Sequence, residues 1–110
     1  MAEVVLIAKF FAKEGSRAEL LDVFAVLAPR IQAEEPGCLR YAVHTGAGEQ
    51  DGTVVMVEAF ASDDAYAEHI ASATMAEFGP VLAALVDRPV EVTVLEPIAL
   101  GQNAKGRVGG

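Results

Sequence analysis

Hydrophobic and polar positions along the chain change their period in a regular order. Residues 3–11 (EVVLIAKFF) are β-branched and apolar over about the length of one strand and give way to Lys13-Glu14-Gly15, which predicts a first strand. The period then lengthens. Leu20, Phe24, Leu27 and Ile31 recur at helical steps, and Leu21, Val23 and Ala28 widen the stripe into an apolar face. Ser16 precedes Glu19 by a capping-box spacing, so the helix is expected to start there. Pro29 cannot donate to the Ala25 carbonyl, which predicts a kink inside this helix rather than its end. Glu35-Pro36-Gly37 ends it: the residue before proline disfavours the α region, and glycine tolerates the turn that follows.

Residues 38–45 (CLRYAVHT) and 53–61 (TVVMVEAFA) read as two strands around a polar, glycine-containing loop at 46–52. Ser62 with Asp63 and Asp64 marks the next helix start, a capping hydroxyl followed by two carboxylates at the positive end of the dipole. Tyr66, His69, Ile70 and Ala73 share its inner stripe. A further helical stretch carries Met75, Phe78, Val81, Leu82 and Leu85, and Gly79-Pro80 is expected to bend or split it. Residues 89–98 form the last predicted strand, and 101–110 (GQNAKGRVGG) have no periodicity and read as a loose tail.

The order β-α-β-β-α-β is the split pattern of an α+β, ferredoxin-like fold: one antiparallel sheet with both helices on one face. A single domain is expected over 1–100, with the tail over 101–110. The third strand offers Val54, Met56, Glu58 and Phe60 to one side and Val55, Val57 and Ala59 to the other, so it is apolar on both. An antiparallel sheet covered on one face normally alternates apolar with polar residues. The uncovered face, including Val55 and Val57, is therefore expected to meet the same face of a second copy about a two-fold axis, giving a homodimer.

Composition sharpens this picture. The chain has 110 residues, near the commonest size of one domain, and 53% of them are hydrophobic. Mean hydropathy is +0.35. A domain this small leaves much surface exposed, and the apolar surplus fits an oligomer interface. The formal charge of −8, from 16 acidic and 8 basic residues, sets aside nucleic acid and anionic membrane surfaces, which require a basic stripe. No apolar run approaches the ~20 residues that span a bilayer. Met1-Ala2-Glu3 leads straight into Val4-Val5-Leu6-Ile7 without the basic flank of a secretory signal, and Cys38 has no partner for an internal disulfide. A cytoplasmic location is expected.

The chain has no Gly-rich phosphate loop, paired-cysteine motif, His-x-x-x-His or Gly-x-Ser-x-Gly elbow. With His44, His69 and one cysteine, ligands for zinc or haem are few, and neither a metal site nor a cofactor is expected. His69 lies on the sheet-facing stripe with Tyr66 one turn before it. It reads either as a base toward a bound phenol or as a half-buried histidine satisfied by a neighbour. Glu58, a carboxylate in an apolar strand, needs a partner, and His69 is the natural one; the alternative is a structural ion pair or a carboxylate turned to the rim. Tyr41 and Arg40 point to opposite faces of the second strand, and Tyr41 is favoured for a pocket, with a core tyrosine as the other reading. Cys38 reads as a small buried hydrophobe, and His44 and the remaining acids as solvated.

Glu35-Pro36-Gly37-Cys38-Leu39-Arg40-Tyr41, followed by Glu58-Ala59-Phe60, Asp64-Ala65 and His69, resembles the signature of the antibiotic biosynthesis monooxygenase superfamily, over residues 3 to about 98. The resemblance implies a dimeric α/β barrel. It also implies oxidation of a small quinol-like or polycyclic phenolic substrate by O2 without metal or flavin. The haem-degrading branch carries Asn, Trp and His where this chain has Ala8 or Lys9, His69 and Gly79, and is disfavoured. Phe60 stands where many members carry Trp, and Thr74-Met75 where many carry a second His. On this reading His69 and Glu58 are the catalytic candidates, with Glu58 orienting the imidazole and Tyr41 or Tyr66 next in line as base. Tyr41, Tyr66, Phe60, Met75 and Phe78 are the substrate-binding candidates. An isomerase-type or non-catalytic binding dimer, its pocket space filled by Phe24, Met75 and Phe78, is the other reading.

Overall fold

The structure, a computed structural model, describes residues 3–101 and 104–108. The β-branched run near the N-terminus forms β1 (Val4–Phe11), and the apolar stripe that follows forms α1 (Arg17–Glu34). β2 (Cys38–Thr45) and β3 (Thr53–Phe60) flank the loop, within which residues Gly48–Gln50 make one short 3-10 turn. Then come α2 (Asp63–Ile70), α3 (Ala73–Ala83) and β4 (Glu91–Leu95). The strands form one antiparallel sheet in the order β2-β3-β1-β4. The fold is the α+β, ferredoxin-like arrangement expected.

Strand parity sorts the core. Val4, Leu6 and Ala8 of β1 and Val54, Met56 and Phe60 of β3 are buried against Leu20, Phe24, Leu27 and Ile31 of α1. Register then lays Tyr41, Glu58, Leu6 and Val94 side by side in one row across all four strands. An irregularity between Cys38 and Arg40 interrupts the β2–β3 register near its start.

Several local expectations are corrected. Ser16 starts α1 through its backbone carbonyl, which accepts from Leu20 N–H, and its side chain makes no cap bond. Pro29, as expected, does not end α1, which runs on to Glu34. Gly79-Pro80 does not split the last helical stretch. Its boundary falls earlier, where Ser72 Oγ accepts from the Met75 N–H at 3.1 Å, an N-cap that restarts the helix. Ile70 and Val81, placed on inner stripes by periodicity, are 59% and 45% exposed. The last strand covers five residues rather than ten, all of them exposed, because the helices pack on β2 and β3, with β1 side chains in the same core, and leave β4 bare.

The opposite face of the sheet is apolar as expected, with Ile7 37% exposed and Val55 and Val57 half-buried. It is not wholly open. The Arg40 guanidinium donates to the Val108 carbonyl and Arg107 pairs with Glu3, so this part of the tail returns to the sheet. Residues 102, 103, 109 and 110 of the expected tail, and Met1 and Ala2, lie outside the described residues. No described helix is long and apolar enough to cross a membrane.

Candidate functional site

One close approach sets the geometry of the site. Gly37 passes so near α2 that a Cβ there would sit 2.6 Å from the Ala65 Cβ, a contact only glycine permits. The Ala61 N–H donates to the Gly37 carbonyl at 2.9 Å and holds the chain there. Ala65 and His69 are one helical turn apart on the same face, so the approach brings Glu35, two residues before Gly37, under His69.

His69 is buried and sits between two carboxylates. Its Nδ1 lies 2.8 Å from Glu35 Oε1, and its Nε2 lies 3.8 Å from Glu58 Oε1. The first is a hydrogen bond and the second is too long to be one. The imidazole is also fixed by its surroundings: the Phe60 ring centroid is 4.9 Å away and that of Tyr41 5.8 Å. From below, Ser72 Oγ donates to the His69 carbonyl at 2.8 Å, so the cap that begins α3 also pins the end of α2.

A cavity of about 220 Å³ opens beside these groups. Tyr41, Glu58, Tyr66 and His69 supply its polar wall, and Leu6, Ala8, Phe10, Met75, Val90 and Val92 most of its apolar wall. It faces the bare side of β4, with the exposed Ile70 at its edge.

Charge inside this cavity is costly. Burial, reinforced by the Glu35 carboxylate, pushes the Glu58 carboxyl up to about 8, so it holds its proton at neutral pH. Burial and then Glu58 push both Tyr41 and Tyr66 above the usual phenol range. They are therefore hydrogen-bond donors here, not the alternative bases considered from sequence. Cys38, half-buried, is pushed up to about 11, chiefly by burial, and is a poor nucleophile.

The contact of Nδ1 with Glu35 leaves Nε2 as the ring nitrogen on the Glu58 side, and His69 is among the residues that line the cavity. A carboxylate at Nδ1 stabilises the imidazolium that forms when Nε2 takes a proton. The site thus sets the His69 imidazole and the protonated Glu58 carboxyl against one apolar space. The two carboxylates meet opposite nitrogens of one ring and so diverge. Among the described residues no cluster of His, Cys, Asp and Glu converges on a point where a metal could sit.

Of the residues picked out by sequence, His69, Glu58, Tyr41, Tyr66 and Met75 line the cavity. Phe60 and Phe78 do not. Phe60 is fully buried behind the His69 ring. Phe78 turns to the α1–α3 seam, where the Arg30 guanidinium lies 5.2 Å from its ring and bonds Glu77 at 3.1 Å and Thr74 at 3.3 Å. Arg40 lies on the other sheet face, and His44 is exposed. In the sequence Glu35 belongs to the helix stop and to the family signature, neither of which pairs it with His69, and the hydrogen bond to the ring expected of Glu58 is the one Glu35 makes. The small pair Gly37 and Ala65 is the sequence trace of that contact, visible once the two segments are known to touch.

The profile of the family described as antibiotic biosynthesis monooxygenase matches residues 3–80. No curated protein matches the chain. Among solved structures, Rv0793 from Mycobacterium tuberculosis is 29% identical, with a TM-score of 0.82 over 92% of this chain and 100% of its own. PA3566 from Pseudomonas aeruginosa is 25% identical, with a TM-score of 0.80 over 90% of this chain and 97% of its own. A Caulobacter crescentus CB15 protein provisionally called an antibiotic biosynthesis monooxygenase shares the fold at 24% identity, with a TM-score of 0.82 over 89% and 92% of the two chains. With a family profile spanning well over half of its length, the chain belongs to the antibiotic biosynthesis monooxygenase family.

Proposed function

We propose that the protein is a cofactor-independent monooxygenase that oxidises a small quinol-like or polycyclic phenolic substrate with O2. The observation that supports it is the imidazole held by Glu35, with Nε2 on the Glu58 side and both His69 and Glu58 lining an apolar cavity. His69 takes the phenolic proton through Nε2, and Glu35 steadies the resulting imidazolium. Tyr41 or Tyr66 donates a hydrogen bond to the substrate oxygen. The anion is electron-rich and itself reduces O2. A bond forms between a ring carbon and one oxygen atom, that carbon loses its proton, and the O–O bond breaks. For a simple phenol the sum is phenol plus O2 giving quinone plus water, with Glu58 or the imidazolium supplying a proton to the departing oxygen.

A second reading draws on the same pair of groups. A base and a protonated acid facing one cavity can move a proton between two atoms of a bound molecule, which is isomerase chemistry without O2. Oxygen uptake over a panel of hydroquinones and phenols, with and without chelator, separates the two. Uptake that persists with chelator and is lost in His69→Ala supports the oxygenase. Substrate-dependent exchange of deuterium from solvent without oxygen uptake supports the isomerase.

A further inference from the structure

A second cavity, of about 340 Å³, adjoins the first. Phe10, Met75 and Val90 are walls of both. Beyond that shared waist the lining is Gly79, Leu82, Ala83, Val86 and Pro89, with no hydrogen-bonding side chain. All the polar side chains of the combined space sit at the His69 end.

Gly79 bears on what this space is for. Glycine weakens a helix interior relative to alanine, yet Gly79 stands inside α3. It is not among the glycines with positive φ, and a Cβ placed on it would meet nothing within 4 Å. The position before Pro80 is one where a Cβ is disfavoured in a helix, yet Ala28 fills the same position before Pro29 inside α1, so glycine is not required here. The missing side chain leaves room.

We propose that the two cavities form one site for an amphipathic phenol or quinol. Its hydroxyl lies at His69 and Glu58, and an apolar substituent free of polar atoms extends past Phe10, Met75 and Val90 toward Gly79. The head-group assignment rests on the function proposed above, and the tail compartment is the new element. A polar group on the tail would lose its water and find no partner, whereas each methylene buried there strengthens binding about fourfold.

The test is isothermal titration of the full-length chain with 4-methyl-, 4-propyl- and 4-hexylphenol. Affinity is expected to climb with chain length, by roughly tenfold or more from methyl to propyl. Gly79→Leu plugs the compartment and should flatten that slope. Gly79→Ala, a residue that α1 accepts in the same position before Pro29, should cut the gain for the hexyl compound and serves if the leucine variant does not fold. A loosened fold would weaken all homologues alike and leave the slope intact, so a slope unaffected by the substitutions overturns the proposal. Chain-length-independent binding to the unsubstituted protein also overturns it, and would mean that another segment of this chain or a second copy fills the space. Oxygen uptake recorded alongside keeps the two ideas apart. Length-dependent binding without uptake sinks the oxygenase and not the tail site, and uptake with length-independent binding does the reverse.

Discussion

His69 Nδ1 and Glu35 Oε1 lie 2.8 Å apart, and this one hydrogen bond ties the C-cap of α1 to α2 across 34 residues of sequence. A histidine held in this way has one tautomer and one orientation, and its free nitrogen is aimed by the fold.

Glu35→Gln should therefore lower turnover with little change in KM, because the amide keeps the shape of the contact but not the charge that stabilises the imidazolium. His69→Ala should lose the whole contribution of the base, typically about 10²–10⁴-fold. Steady-state kinetics on the best substrate found, with circular dichroism to confirm folding, check both. Equal kcat for Glu35→Gln and the unsubstituted protein would reduce Glu35 to a packing role.

Glu58 should make stability depend on pH. Its carboxyl is raised from the ordinary 4.5 to about 8 in the folded chain. Between those values the folded state holds a proton that the unfolded state has released, so stability falls as pH rises, by up to about 1.4 kcal/mol per unit. The contribution is complete below about pH 4.5 and gone above about pH 8. Urea midpoints at pH 5, 7 and 9 should diverge from those of Glu58→Gln in that direction. Parallel curves for the two proteins would place the Glu58 carboxyl in its ordinary range. In catalysis Glu58→Gln should lower the rate with less effect on binding.

Leu27, on α1, is fully buried and Leu82, on α3, is 5% exposed. Replacing either by alanine should cost ~2–5 kcal/mol through lost burial and the cavity left behind. Chemical denaturation measures it, and an unchanged midpoint would place that side chain outside the core.

We propose that the sheet face carrying Ile7, Val55 and Val57 joins two copies of the chain into a homodimer. The motive is an apolar surface with no helix over it, of a kind single soluble domains seldom expose. Residues 107–108 lie on part of that face and would have to be displaced or shared at the interface. Light scattering at micromolar concentration should give twice the chain mass, and Val57→Lys should shift it toward one. A monomeric mass for the unsubstituted chain ends the idea.

Much of the fold was legible because its signals are local. The periods of Val4–Phe11 and of the Leu20, Phe24, Leu27, Ile31 stripe come from the geometry of one strand and one helix, and the Ser62 cap is a contact over three residues. Parity and periodicity were also enough to turn Glu58 and His69 toward the same layer, since each rule assigns a face without knowing the partner. Those rules failed where a face depends on what covers it. Ile70 and Val81 obey the helical period and are still exposed, and β4 is bare, because the helices do not extend over the fourth strand. Glu35 is the sharpest case. Nothing within several residues of it says that it will meet an imidazole, because the contact arises from the Gly37–Ala65 approach between segments distant in sequence. The amino-acid sequence by itself determined the elements, their order and the apolar faces, which follow from interactions along the chain. Which carboxylate holds His69, which aromatics face the cavity, and that the cavity continues toward Gly79 were decided only when the chain closed on itself, since distances of a few ångströms between remote residues exist only in the folded state.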